Sequence, residues 1–516
     1  MKRARTVSKG AADFKGRTGS LARYPDSRRL LGFAFVLFAW IGFLSSAAQL
    51  WAQTPTWQQI PIPKLPAFHP VQPKRVELPN GMVIFLQEDH ELPLIDGTAR
   101  IRGGERSVAR DKAGLVEIYG EVWRTGGTKS QTGDQLDDFL EQRAAKVETG
   151  DGTDSTTVSW SCLKEDFDAV FRMFDDLLRN PEFRADKIEI AQKGMYDGIS
   201  RRNDDPSQIA GREAAKLVYG ANSPYARNAE YATVRSITRQ DLVAWHDRYV
   251  HPNNIILGVV GDFDSAKMEA RLREAFGAWP KGPPANDAEI KPDPAKPGYY
   301  VVDKTDVNQS DIQMVAVGIT RRNPDYFATS VFNEAFGGGF SSRLFNDIRT
   351  TKGLAYAVGG GVGAGWDHPG ILRLMVRTKS NTTFESIQAL DEEIADLATH
   401  PIDEAEIQRA KDAILNSFVF RFDSPEKVLQ EKMAYEFYGY PLDFLEKFQT
   451  GIEAVTKEDI ARVAAKYLHR EQMAVLVVGN AGEFDKRLSS LGTVNKLDIT
   501  IPPPPPGLVP QQGDHP

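Results

Sequence analysis

The sequence has few of the residues that form disulfide bonds or bind metal ions, namely cysteine and suitably spaced histidine. Its single cysteine, Cys162, excludes an internal disulfide and is expected to be a small buried hydrophobic residue. No two of its eight histidines are three or four residues apart, the spacing that lets a helix bind zinc from one face. We expect a surface or helix-capping role for His246 and His251. A net charge of −7 provides no basic surface, so nucleic acid is not an expected partner.

Positive charge is instead concentrated at the N-terminus, where it precedes an apolar run. Basic residues are frequent up to Arg29, residues 30–44 are uncharged and apolar, and the small residues at 46–48 offer a cleavage site. This pattern predicts a secretory signal within residues 1–53 and a periplasmic or secreted mature protein. The alternative is an uncleaved anchor, since residues 30–52 are long enough to cross a bilayer. Membrane attachment is expected only in that case.

Proline-rich stretches divide the remaining chain. A length of 516 residues exceeds what one core usually serves, and an apolar fraction of 41% is enough for two. The predicted segments after the signal are a Pro-rich lead-in at 54–74, an N-terminal domain at 75–278, a linker at 279–298, a C-terminal domain at 299–490 and a Pro-rich tail at 491–516.

The two predicted domains repeat one another. A shift of 218 positions aligns seven residues without a gap. The first copy comprises Thr238, Asp241, Tyr249, His251, Val259, Val260 and Gly261, and the second comprises Thr456, Asp459, Tyr467, His469, Val477, Val478 and Gly479. Each copy reads as an N-capped amphipathic helix followed by a buried strand. The repeat predicts an α+β fold with two homologous domains, each an antiparallel-rich sheet packed with helices.

The most informative motif is the stretch from Gly114 to Val122, which reads GLVEIYGEV. It resembles the zinc-helix signature of the pitrilysin/insulinase metallopeptidases, Gly-Leu-x-His-x-x-Glu-His, with its chemistry removed. In that family the two His bind zinc and the Glu activates the metal-bound water. The three positions here are Glu117, Gly120 and Glu121, and the position of the family's last ligand, a Glu, falls on Gly198.

Other parts of the chain extend this resemblance over residues 76–479. The matching stretches are 124–128, 204–206, 219–225, 237–242, 259–262, 337–345 and 352–356. Similarity to the family implies that the two domains face each other across a cavity. The changed motif implies that this chain binds no zinc. An acidic cluster of Glu117, Glu121 and Asp197 that holds a divalent ion is the alternative.

The resemblance also implies a functional pair in the second half. In the family, an Arg and a Tyr seven positions apart reach the substrate carbonyl and stabilise developing oxyanion charge, and here they are Arg349 and Tyr356. A structural Arg and a core Tyr are the alternative interpretation. We interpret the glycine runs 337–339 and 359–361 as places of backbone approach to substrate and partly as flexible loops.

Two functional hypotheses of different class follow. The first is a catalytically incomplete subunit of a heterodimeric zinc metallopeptidase, inactive alone, with Arg349 and Tyr356 acting on a peptide whose attacking water is activated by zinc in the partner chain. The second is a non-enzymatic, peptide-binding scaffold. An independent zinc peptidase is a third possibility, but Gly120 and Gly198 argue against it.

Overall fold

Residues 71–285 and 289–504, the part of the chain described by the computed structural model, fold around two β-sheets. Each sheet has six strands within that part, and helices pack on both sheets. The predicted α+β class with two sheet-and-helix halves is confirmed. The predicted signal or anchor at 1–53 and most of the Pro-rich lead-in lie outside the described residues.

The first half contains strands β1–β6 and helices α1–α8. The strands are β1 (Lys74–Glu77), β2 (Val83–Glu88), β3 (Leu94–Arg102), β4 (Lys146–Gly150), β5 (Ser155–Leu163) and β6 (Ile255–Gly261). The helices are α1 (Leu115–Thr125), α2 (Gly133–Glu141), α3 (Phe167–Arg179), α4 (Ala185–Arg201), α5 (Pro206–Tyr219), α6 (Tyr231–Ser236), α7 (Arg239–Tyr249) and α8 (Ser265–Phe276). The sheet order is β1-β2-β6-β3-β5-β4, with only β2 and β6 paired in parallel. Strict alternation of buried residues along β3 and β5 presents one face to the core, where Cys162 is buried as predicted.

The second half contains strands β7–β14 and helices α9–α14. The strands are β7 (Gly298–Asp303), β8 (Gln309–Val317), β9 (Ile319–Thr320), β10 (Ala355–Val362), β11 (Ala364–Gly365), β12 (Ile371–Lys379), β13 (Ala474–Gly479) and β14 (Val494–Lys496). The helices are α9 (Tyr326–Asn333), α10 (Thr383–Asp396), α11 (Glu404–Phe418), α12 (Pro425–Tyr438), α13 (Phe444–Ala454) and α14 (Lys457–Tyr467). Two π-helical turns, Glu334–Gly338 and Phe345–Thr351, precede β10. The sheet order is β10-β12-β8-β13-β7-β14, and β9 pairs with β11.

The internal repeat is confirmed at the level of hydrogen bonds. Thr238 caps α7 and Thr456 caps α14, each in a capping box with the Asp three residues later. The strands that follow, β6 and β13, are buried along their whole length. Read from one edge, the strands β4-β5-β3-β6-β2 of the first sheet correspond to β10-β12-β8-β13-β7 of the second. The sheets differ only at the other edge, where β1 is antiparallel to β2 and β14 is parallel to β7.

Each half contributes one helix that packs on the sheet of the other half. Helix α5 of the first half packs on β8 and β13, and α12 of the second half packs on β2 and β6. Gly258 makes the second contact possible, because a Cβ on it would lie 2.3 Å from the Met433 sulfur. Beside the start of α5 a cavity of about 410 Å³ remains, lined by residues that include Ser207, Asp311 and Arg377.

A buried polar cluster also joins the halves, and the sequence analysis did not find it. The Arg106 side chain, which is 5% exposed, donates to Asp154 in the first half and to Asp367 in the second. The Tyr438 hydroxyl donates to Asp154 at 2.7 Å. Burial opposes ionisation of Asp367, but hydrogen bonds from His368 and Arg106 outweigh it and lower the pKa of that carboxyl to about 2.

The predicted C-terminal tail is wrong at its start. Residues 494–496, placed in the tail, form β14 and pair with β7, and the Leu497 amide donates to the Val301 carbonyl oxygen at 2.8 Å. Ile499 and Ile501 beyond them pack against the cores of both halves. The Pro-rich composition indicated an unfolded tail, but a short edge strand needs only backbone partners. In the described part of the chain, none of the helices has the length and apolar character needed to cross a membrane.

Candidate functional site

The degenerate zinc motif forms the first turns of α1. The helix begins after Gly114, whose left-handed backbone (φ 95°) favours glycine, and where a Cβ would lie 2.8 Å from the Met195 methyl on α4. Ile118, Tyr119, Val122 and Trp123 face the core. Glu117 and Glu121 lie on the opposite, exposed face. Helices α1 and α4 are thus neighbours, as the zinc motif of the resembling family requires.

Gly120 is closed in by the end of β4. A Cβ on it would lie 2.9 Å from the Asp151 amide nitrogen and 3.0 Å from the Asp151 Cβ. The Thr149 hydroxyl also donates to the Gly120 carbonyl oxygen at 2.5 Å. Because backbone occupies this space, a glutamate acting as general base does not fit here without movement of the β4–β5 turn.

The remaining positions do not form a zinc site either. Although Glu117 is exposed on one side, partial burial of its carboxyl and the nearby charges of Asp151, Glu105 and Glu121 raise its pKa. Gly198 lies exposed on α4, with nothing within 4 Å of a Cβ. No group of three or more His, Cys, Asp or Glu among residues 71–285 and 289–504 has the geometry to hold a metal ion. The residues present therefore do not fit zinc.

His246 differs from its prediction. It is buried under α1, and its Nδ1 lies 2.9 Å from the Tyr119 hydroxyl. Burial lowers its pKa to about 3, so it is neutral at physiological pH. Most residues of α7 around it are polar, so the sequence did not indicate burial, and only the packing of α7 on α1 buries it. His251 does cap a helix, since its Nε2 lies 2.7 Å from the Asp247 carbonyl oxygen.

Arg349 and Tyr356 are both exposed at the start of β10. Arg349 lies in the second π-helical turn, with its guanidinium carbon 4.7 Å from the centre of the Phe345 ring. Tyr356 is the extra residue of a β-bulge between Ala355 and Ala357, and 74% of it is exposed. Bulges and π-turns re-aim side chains and are frequent at functional sites. Neither the guanidinium nor the hydroxyl is hydrogen-bonded to any described residue, so the alternative of a structural Arg and a core Tyr is wrong.

The segment that carries the pair is anchored on both sides. Arg343 donates two parallel hydrogen bonds of 2.8 Å to the Glu406 carboxylate on α11 and a third of 2.9 Å to the Pro401 carbonyl oxygen. Lys352 bridges Asp347 in the turn and Glu392 on α10. Bidentate Arg–carboxylate pairs fix geometry as well as adding stability. These ion pairs therefore hold the segment that carries Arg349 and Tyr356 in place.

The glycine runs have a different role from the predicted one. A Cβ on Gly337 would lie 2.6 Å from the Gly360 carbonyl oxygen, and one on Gly361 would lie 2.3 Å from the Asn333 side-chain oxygen. Asn333 in turn makes hydrogen bonds of 3.0 and 2.8 Å with the backbone of Val362. The runs let the first π-helical turn pack on β10. The interpretation as flexible loops is wrong for these residues, because the close approach is between two parts of the chain.

Two further residues of this region were missed by the sequence analysis. Phe340 is 80% exposed and its ring packs edge-on against Phe345, with ring centres 5.2 Å apart. Glu334 lies under the glycine loop at the start of the first π-helical turn. A large aromatic residue directly after three glycines is the one sequence signal that pointed to an exposed surface.

Known proteins of one peptidase family are similar to this chain in sequence and in fold. The sequence model described as "Peptidase M16 inactive domain" matches residues 236–414. The crystal structure of a peptidase M16 inactive domain from Pseudomonas fluorescens superimposes with a TM-score of 0.71 at 22% identity, covering 83% of this chain and 99% of that one. The chain is therefore similar to the inactive domain of M16 peptidases in the sequence of residues 236–414 and in its fold. Its closed zinc position agrees with that description.

Curated relatives of the chain include both a named zinc protease and a named non-peptidase. An uncharacterized zinc protease of Mycobacterium leprae is 26% identical over 61% of this chain and 71% of its own length. A protein of Helicobacter pylori named "Non-peptidase homolog YmxG" is 22% identical over 77% of this chain and 91% of its own length. The second name fits an M16 chain that has lost its metal centre.

The zinc content of the purified chain tests the site directly. We expect no stoichiometric zinc at neutral pH, because Glu117 and Glu121 alone are fewer than the three or four ligands of a tight site. Elemental analysis after dialysis is the measurement. About one zinc per chain retained through dialysis would contradict the result expected.

Substituting the two glycines of the old centre by alanine is expected to have opposite effects. Gly120→Ala should lower the free energy of unfolding by about 1–3 kcal/mol, because the added methyl meets the Asp151 backbone. Gly198→Ala should raise it by about 0.5–1 kcal/mol, because a helical alanine costs less backbone entropy and has open space. Urea denaturation of the two variants and the wild type measures both values. Equal changes in the two variants would show that the β4–β5 turn does not close the site.

Proposed function

We propose that this chain is the non-zinc subunit of a heterodimeric metallopeptidase and presents Arg349 and Tyr356 to a peptide held between it and a zinc-bearing M16 partner. The observation that carries the proposal is a contrast within one chain. The zinc position of the first half is closed by backbone next to Gly120, while the Arg/Tyr pair of the second half is exposed and has no hydrogen-bond partner among the described residues.

The pair supports a defined chemical role. Arg349 offers a permanently charged fork of donors, and Tyr356 offers one hydroxyl donor. In the proposed complex, zinc in the partner supplies an activated water, and the two side chains orient the scissile carbonyl and stabilise the negative charge that develops on its oxygen. No hydrogen bond or ion pair links Glu117 or Glu121 to Arg349 or Tyr356 within the described residues.

Location and partner belong to the same proposal. The basic and apolar N-terminal segment favours a periplasmic or secreted heterodimer, anchored to the membrane only if residues 1–53 are retained. The partner is expected to be an M16 chain with an intact His-x-x-Glu-His helix. A gene for such a chain next to the gene of this one is the first thing to look for.

Reconstitution tests the proposal. The isolated chain should cleave peptides only at background, because it has no base at Gly120 and no zinc ligand set. Mixed with the zinc-bearing chain, it should elute as a heterodimer from a sizing column and raise chelator-sensitive hydrolysis above that of the partner alone. Chelator-sensitive cleavage by this chain after separation from other M16 proteins would contradict the proposal.

A second candidate function is peptide binding without catalysis. It is favoured by the name of the Helicobacter pylori relative, a non-peptidase homolog. This scaffold would bind extended peptides at the same exposed surface but would leave the hydrolysis by any partner unchanged. Reconstitution therefore separates the two candidates.

A further inference from the structure

Glu334 holds an unusual position beneath the glycine loop. Its carboxylate covers two glycine Cα atoms, because a Cβ on Gly339 would lie 2.5 Å from its Oε1 and one on Gly338 would lie 2.9 Å from its Oε2. A side chain at either position would push the carboxylate aside. The loop sequence is thus matched to a carboxylate lying against it.

The Glu334 carboxylate has no partner among the described residues. It accepts no hydrogen bond and forms no ion pair there, and burial raises the pKa of its carboxyl. Neighbouring carboxylates of the same region are paired, Glu406 with Arg343 and Glu392 with Lys352. Half-buried carboxylates are ordinarily satisfied by a donor, because partial loss of water otherwise destabilises the charged form. Glu334 therefore has the capacity for a cation that residues 71–285 and 289–504 do not supply.

Contacts connect Glu334 to the Arg/Tyr pair. Gly339 lies against Glu334 and precedes Phe340 in the chain. The Phe340 ring packs on Phe345, whose ring carries the Arg349 guanidinium. Glu334 is thus linked to Phe340 through Gly339, the residue before Phe340, and Phe340 is linked to Arg349 through the Phe345 ring.

We propose that Glu334 and Phe340 form a specificity subsite that binds a lysine or arginine side chain of the peptide, with the cation at Glu334 and the aliphatic stem on the Phe340 ring. This proposal rests on the proposed function, since Arg349 and Tyr356 receive the carbonyl of the same peptide. Charge complementarity selects the occupant: a carboxylate without a partner among the described residues, one loop away from an exposed aromatic ring, suits a cation on an apolar stem. An acidic peptide would meet like charge at Glu334.

A pair of fluorescent peptides that differ only in lysine against norleucine tests the subsite. Norleucine keeps the length and apolar stem and removes the charge. We expect anisotropy titrations of the full chain, alone and in the heterodimer with zinc chelated, to show about tenfold tighter binding of the lysine peptide. Glu334→Gln, which keeps the side-chain shape, should abolish this preference. Phe340→Ala should weaken both peptides.

Glu458→Gln on α14 is the matched control, because it removes one exposed carboxylate of the same half and should leave the preference intact. A lysine preference that survives Glu334→Gln overturns the subsite, and so does a failure of both peptides to bind in the heterodimer. Loss of heterodimer assembly in Glu334→Gln or Phe340→Ala would instead show that the surface is a subunit interface, which also overturns it.

The outcome is distinguishable from the fate of the proposed function. If Arg349→Ala abolishes turnover while Glu334→Gln leaves the lysine preference unchanged, the function holds and the subsite fails. If Glu334→Gln removes the preference while Arg349→Ala leaves turnover unchanged, the subsite holds and the catalytic role fails.

Discussion

Arg349→Ala and Tyr356→Phe will each lower the peptide turnover of the reconstituted heterodimer by about a hundred- to a thousandfold, which corresponds to roughly 3–4 kcal/mol of transition-state stabilisation. The reason is that each variant removes a donor aimed at charge that forms only in the transition state. Turnover under saturating peptide is the measurement, since loss of such a donor reduces kcat more than it changes KM.

The structure makes these two variants clean tests. Both side chains are exposed and neither is hydrogen-bonded to a described residue, so folding and assembly should be unchanged on a sizing column. Glu117→Gln and Glu121→Gln serve as controls, because these exposed residues have no part in the proposed chemistry and should barely alter turnover. Near-normal turnover in both pair variants would leave only the scaffold function.

Arg106→Ala will lower the free energy of unfolding by about 3–5 kcal/mol, the loss expected when one partner of a buried ion pair is removed. The substitution removes a buried guanidinium and leaves the partly exposed Asp154 and Asp367 without their shared cation at the contact between the halves. The substitution should also narrow the pH range over which the ionised Asp367 stabilises the fold. The stability from ionised Asp367 is present above the ordinary pKa of 3.8 and is lost as the pH falls towards about 2, and the variant loses the Arg106 contribution to it.

Chemical denaturation at neutral pH and thermal melts at pH 2 to 7 measure the effect. Arg184→Ala provides the matched control, because its ion pair with Asp186 is 3.6 Å long and exposed. Removing such a pair costs about 0–1 kcal/mol. If the two variants lose equal stability, the Arg106 cluster does not hold the halves together.

The fold could be predicted to the extent that it depends on local patterns and repetition. The capping boxes at Thr238 and Thr456 and the buried strands after them are set by residues close in sequence, so the repeat identified them correctly. The start of the C-terminal tail could not be predicted. Its strand β14 is specified by backbone pairing with β7, far away in the chain, and its composition carries little trace of that partner.

The candidate site divides in the same way. The loss of the zinc site could be predicted from the residue types at Glu117, Gly120, Glu121 and Gly198. No packing can give a glycine a side chain that accepts a proton. Burial of His246 depends on where α7 packs against Tyr119 of α1, which is a contact between distant segments. Within the described part of the chain the Glu334 carboxylate has no cationic partner, and this too depends on how segments distant in sequence are arranged.

The amino-acid sequence by itself determined the repeated α+β architecture, the loss of the zinc ligands and the retention of Arg349 and Tyr356, because these follow from residue type and spacing. Only the tertiary structure decided that backbone at Asp151 closes the old centre, that glycines pack chain against chain, and that α5 and α12 are exchanged between halves. Those features depend on distances between segments remote in sequence, which residue type does not fix.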